Sequence, residues 1–141
     1  MNKLSLVEKA YLFAKLKHEG QFRRDGITPY FTHCEKVASL VDTDFEKVVA
    51  YCHDLIEDRK ATYYDISENI SNSVADVCEI LTHTPDVNYD TYIERLKNNK
   101  DWYNHIINIK IADIVANLSD SPTQKQIEKY NKALRILVGV N

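Results

Sequence analysis

Only three glycines and three prolines occur in 141 residues, too few to punctuate the many short strands of an all-β fold. Neither a Walker-type nor a dinucleotide-type glycine loop is present, so the usual backbone cradles for phosphate are excluded. The three cysteines, Cys34, Cys52 and Cys78, are odd in number, widely spaced and without a C-x-x-C pair. That pattern excludes a disulfide framework and suits buried thiols in a reducing compartment. Lys and Arg form no block, and the net charge of −3 argues against a large nucleic-acid or membrane footprint, leaving room for a local basic pocket. There is no apolar run of membrane length and no secretory leader, so the expected setting is the cytoplasm, with neither membrane nor nucleic acid as partner. The length suits one domain, 1–141, and the 44% hydrophobic content is enough to build a core.

The helical signals are frequent. Ser5 with Glu8, Thr32 with Glu35 and Thr43 with Glu46 have the spacing of capping boxes. The first predicts a helix to about Lys17. The second predicts a short helix carrying Val37, Leu40 and Val41, with His33 in its first turn. The third starts a helix on which Phe45, Val48, Val49, Cys52 and Ile56 repeat at helical spacing. A short polar helix is expected near 63–69 and an apolar one after Ser71. A further helix is marked by Tyr89, Tyr92, Ile93 and Leu96, with Tyr63, Tyr64, Tyr89 and Tyr92 as packing residues. The isoleucine-rich run 106–118 predicts a helix buried on most sides. Pro122 is expected at the first position of the last helix. No strand is expected.

Three stretches carry chemistry. His53-Asp54 and Glu57-Asp58 put four titratable groups into an apolar helical pattern, with His53 one turn from Glu57 and Asp54 one turn from Asp58. Imidazole and carboxylate suit a divalent metal, whereas the plain alternative is a solvated helix end of mixed charge. Asp113, Asn117 and Asp120 follow at intervals of four and three on the isoleucine-rich helix. A buried Asp113 needs a metal or a partner, for which Lys110 is the obvious cation. The loop 18–30 contains two glycines, one proline and the pair Arg23-Arg24, a candidate phosphate or base contact or simply a solvated basic loop. His83 and His105 have no acidic partner at ligand spacing and are expected to be structural.

Four ordered patches resemble one known family: H-E-G-Q-F-R-R-D-G (18–26), P-Y-F-T-H (29–33), H-D-L-I-E-D (53–58) and K-I-A-D-I-V-A-N-L-S-D (110–120). The chain resembles the HD-domain metal phosphohydrolases, and among them the hydrolase domain of the RelA/SpoT family and its small stand-alone (p)ppGpp hydrolases. The resemblance implies an all-α HD-type bundle of about seven or eight helices around a single metal ion, usually manganese. It implies His33, His53, Asp54 and Asp113 as the ligands, and Glu57 and Asp58 as the residues that activate or orient water. Arg23 and Arg24 would contact the guanine and nearby phosphates, and Asn117 the ribose. Asp120, at the end of that face, could read the base edge of a guanine nucleotide or only precede the next helix cap. The implied reaction is hydrolysis of the 3′-pyrophosphate of (p)ppGpp. Alternatives are an HD-type nucleotidase acting on another nucleotide, and a non-catalytic module that binds nucleotide or protein. Departures from the family pattern are Cys34 in place of Pro, Arg59 in place of Thr, and a slightly longer first loop. The oligomeric state is not legible in the sequence.

Overall fold

A computed structural model describes residues 3–140. Eight α-helices and no strand occur among the described residues, as expected; the nearest thing to a sheet is one isolated antiparallel bridge, Phe22 to Pro29. The chain divides between Thr82 and His83 into two compact units.

The first unit holds α1 (Leu6–Lys17), α2 (Phe31–Ser39), α3 (Asp44–Cys52), α4 (Tyr63–Asn69) and α5 (Asn72–Leu81). Helix α3 is its centre and packs on α1, α2 and α5. Val49, Ala50 and Cys52 are fully buried on it. Ala10 and Ala14 of α1 are also fully buried, and their small side chains let α1 approach α3 closely. The rings of Tyr11, Phe31 and Tyr51 close the gap among α1, α2 and α3. The Ser5–Glu8 capping box forms in full, and so does Thr62–Asp65 at α4. The hydroxyls of Thr43 and Ser71 accept from Glu46 and Val74 N–H and start α3 and α5.

The second unit holds α6 (Tyr89–Lys97), α7 (Tyr103–Leu118) and α8 (Gln124–Val138), each packed on the other two. Asn88 caps α6, and a Thr123–Gln126 box caps α8.

Several expectations need correction. The Thr32–Glu35 box does not form: Tyr30 is already in the right-handed region, and Pro29 and Tyr30 carbonyls accept from Thr32 and His33 N–H. Helix α3 stops at Cys52 rather than running on through Ile56. Residues 53–59 make successive turns closed by a Schellman motif, in which Lys60 N–H bonds Leu55 O and Arg59 N–H bonds Ile56 O, with Arg59 at φ +58°. Pro122 precedes the cap of α8 instead of opening the helix. Helix α7 is one-sided: Ile106, Ile109 and Ile114 are buried, but Val115 is exposed. Tyr64 is 73% exposed and packs little.

Candidate metal centre

The first unit brings three of the expected ligands together. His33 lies in the first turn of α2, and His53 and Asp54 follow immediately on α3. All three are buried, and each offers a ligand atom within 4.8 Å of those of the others. Asp54 Oδ2 stands 3.2 Å from His53 Nε2 and 3.7 Å from His33 Nε2. His53 Nδ1 is 2.6 Å from the Ala50 carbonyl, which accepts its proton. That bond fixes the tautomer, so the Nε2 lone pair faces Asp54. Two imidazoles and a carboxylate converging inside the protein are a donor set that could hold a divalent metal ion.

The end of α3 explains this placement. His53 takes the Ala50 carbonyl with its side chain, and the chain leaves the helix at that point. The turn still carries Asp58 back to Asp54, because Asp58 N–H donates to Asp54 O at 2.9 Å. Tyr30 OH donates to Asp54 Oδ2 at 2.6 Å and aims that carboxylate. Burial first, and then the Asp54 charge, push the Tyr30 hydroxyl far above its ordinary pKa, so it stays a donor.

A second group of polar side chains stands behind the turn. His18 Nδ1 is 2.7 Å from Gln21 Oε1, and Gln21 Nε2 donates to Asp58 Oδ2 at 3.0 Å. The far ring nitrogen of His18 faces the Cys34 thiol at 3.8 Å. Burial holds His18 below its ordinary pKa. Burial also raises the Asp58 carboxyl, Asp54 raises it further, and the Gln21 bond works against both. Glu57 is exposed, and Asp58 is half-buried. None of Gln21, His18 and Tyr30 stands out in the sequence as a site residue. Each lies in a matched patch, but the bonds that give it a role cross 3 to 37 positions of sequence.

The arginine loop is built by Asp25. Its carboxylate accepts from the N–H groups of Ile27 and Thr28 and from the Thr28 hydroxyl. Arg23 N–H bonds Thr28 O, and Gly26, at φ +71°, turns the chain. The Arg23 guanidinium sits 5.5 Å over the Tyr30 ring, while Arg24 is exposed.

In the second unit Asp113 is 6% exposed on α7, and the Lys110 ammonium donates to its Oδ2 at 2.9 Å. The cation named from sequence is therefore a partner of this carboxylate. Asn117 is half-buried. Helix α7 ends at Leu118, so Asp120 lies in the exposed turn beyond it rather than on the helix. His83 bonds the Val87 carbonyl and stacks on Tyr92, a structural role as expected.

The helical fold is that of a solved structure. It matches a metazoan ortholog of SpoT, described as hydrolysing ppGpp, with a TM-score of 0.79 over 99% of this chain and 86% of that one, at 21% identity. In sequence the chain is similar to the bifunctional (p)ppGpp synthase/hydrolase SpoT of Escherichia coli K12, 39% identical over 82 residues. It is also 36% identical over 87 residues to a guanosine-3′,5′-bis(diphosphate) 3′-pyrophosphohydrolase of Aquifex aeolicus. These alignments take in 55% and 59% of this chain but only 12% of each relative's length. No family model matches the chain. The RelA/SpoT resemblance carried by the four patches is borne out by these relatives, and the all-α expectation by the fold.

Proposed function

We propose that residues 1–141 act as one metal-dependent hydrolase domain that removes the 3′-pyrophosphate of (p)ppGpp, leaving GDP or GTP. The observation that carries this reading is the buried His33–His53–Asp54 cluster with Asp58 hydrogen-bonded back to Asp54. The names of the relatives, two of them hydrolases of this class of nucleotide, point the same way.

On this reading Asp113 is the fourth ligand. Its burial supports that role, since a buried carboxylate needs a cation or a metal ion beside it. A divalent ion held by two imidazoles and two carboxylates, manganese in our reading, would polarise the phosphoryl group and neutralise its charge. Glu57 and Asp58 orient a water molecule and take its proton. The water oxygen bonds the phosphorus on the ribose 3′ oxygen, the P–O3′ bond breaks, and the 3′ oxygen gains a proton. Pyrophosphate leaves. Arg23 and Arg24 hold the guanine and the phosphates, where a planar guanidinium can both stack and donate in pairs. Asn117 meets the ribose. Asp120, exposed in the turn after α7, accepts from the N1 and 2-amino donors of guanine on this reading.

The test is a nucleotide panel with purified protein and Mn²⁺, measuring released pyrophosphate. Turnover of ppGpp, lost together with metal in His53→Ala, is the expected result. Hydrolysis of a different nucleotide in preference to ppGpp would make the chain a nucleotidase of other specificity. Binding without turnover would make it a nucleotide-binding module.

A further inference from the structure

Gln21 bridges two groups that differ in every respect. On one side is His18, 2% exposed and fixed between the Tyr30 and Phe31 rings at centroid distances of 5.1 and 6.3 Å. On the other is Asp58, at the end of the turn that carries His53 and Asp54. The Gln21 backbone is itself pinned at both ends: its N–H donates to His18 O at 2.9 Å, and its carbonyl accepts from Tyr30 N–H at 2.8 Å. A side chain so anchored has little freedom left to lose.

The bridge also has a direction. An amide has one accepting end and one donating end. Its oxygen faces His18 Nδ1, and its nitrogen faces Asp58 Oδ2. His18 must then carry its proton on Nδ1, which leaves Nε2 to accept from the Cys34 thiol. Each donor in the chain thiol, imidazole, amide points towards Asp58. Turning the amide round would set oxygen against oxygen at Asp58. The arrangement therefore specifies Asp58 Oδ2 as an acceptor and leaves Oδ1 as the oxygen able to meet water.

We infer that Gln21 is a positioning residue that holds the Asp58 carboxylate in register with the His33–His53–Asp54 cluster. It does so from the rigid His18–Cys34 pair in the core. The inference rests on Asp58 serving the hydrolytic site proposed above. Gln21 touches no ligand of the metal set through its side chain, so its loss should leave metal binding intact and affect the chemical step.

Three variants test this: Gln21→Met, which keeps length without hydrogen bonds; Gln21→Glu, which still accepts from His18 but faces Asp58 with an anion; and Gln21→Met combined with Asp58→Asn. In Gln21→Met, kcat for ppGpp should fall about 10- to 100-fold, the range for losing a partner that orients an active-site group, with KM and Mn²⁺ content near wild type. Gln21→Glu should fall at least as far. The double variant should be no slower than Asp58→Asn alone. Near-normal kcat in Gln21→Glu would reduce Gln21 to a support for His18 and overturn the inference, as would full additivity in the double variant. Crystal structures of wild type and Gln21→Met judge the inference apart from any substrate: the Asp58 carboxylate should move in the variant, and an unmoved carboxylate overturns it. A wild type inert towards ppGpp would sink the hydrolase reading, while the carboxylate position would still decide the role of Gln21.

Discussion

Asp25 is exposed and touches no proposed ligand, yet it organises the loop that presents both arginines. The Thr28 hydroxyl first, and then the N–H groups of Ile27 and Thr28, hold its carboxylate down to a pKa of about 2. The folded value lies below the ordinary carboxylate value of 3.8, so the loop's order is fully present above pH 4. It is lost as the pH falls through about 2. An NMR titration of the Asp25 side chain should show that low midpoint, and a midpoint near 3.8 would mean the loop is not fixed by this residue. Asp25→Ala should raise KM for ppGpp about fivefold with little change in kcat, because a loosened loop must be ordered at each binding event. An unchanged KM would remove the arginines' dependence on this turn. The sequence displayed Arg23 and Arg24 as candidates because charge pairs in a glycine-containing loop are visible along the chain. It did not display Asp25, Gln21 or His18 as organisers. Their roles depend on which oxygen faces which nitrogen, and spacing carries no such information.

Most helix starts were legible because a start is a local event: a hydroxyl and the N–H three residues on decide it. Ser5 forms the full box its spacing indicates, and the Thr43 hydroxyl accepts from Glu46 N–H to cap α3. Thr32 does not, since the chain has entered helical conformation two residues earlier, at Tyr30. The stop of α3 was hidden for a related reason. Apolar periodicity runs on through Ile56, whereas the stop comes from the His53 side chain taking the Ala50 carbonyl and from a left-handed Arg59. Arg59 is a non-glycine residue at φ +58° with its side chain exposed, and left-handed backbone costs an L-residue about 1 kcal/mol. Arg59→Gly should therefore stabilise the protein by about 0.5–1 kcal/mol, raising Tm by about 3 °C. A fall in Tm would show that the arginine side chain contributes more than its backbone costs.

The proposed ligand set includes the buried Asp113, so metal binding and folding should be linked. Without metal the Asp113 charge is balanced by Lys110. Burial alone would lower the lysine's pKa, but the Asp113 charge outweighs it and keeps the ammonium protonated. Lys110→Met leaves that carboxylate without its cation and should cost about 3 kcal/mol in metal-free protein. Saturating Mn²⁺, at about 100 times its Kd, should add about 2.7 kcal/mol to wild type. It should add more to the variant, where the ion also replaces the missing charge. Equal metal-induced Tm gains in the two proteins would take Asp113 out of the ligand set. The fold class was readable from composition and periodicity, and the His-Asp pair from its setting. His33 was legible only through the family resemblance and not from spacing, because only packing brings the N-terminal turn of α2 to the end of α3. The three cysteines bear on how the molecule can be studied. All are buried and none is in a disulfide, and burial alone pushes the Cys52 thiol up to about 12. A thiol with so little thiolate, shielded from reagent, reacts slowly with maleimides. The native chain therefore behaves as a cysteine-free background. A single cysteine introduced at an exposed position such as Ile27, on the arginine loop, would take a fluorophore or spin label with no need to strip the interior of its own sulfur.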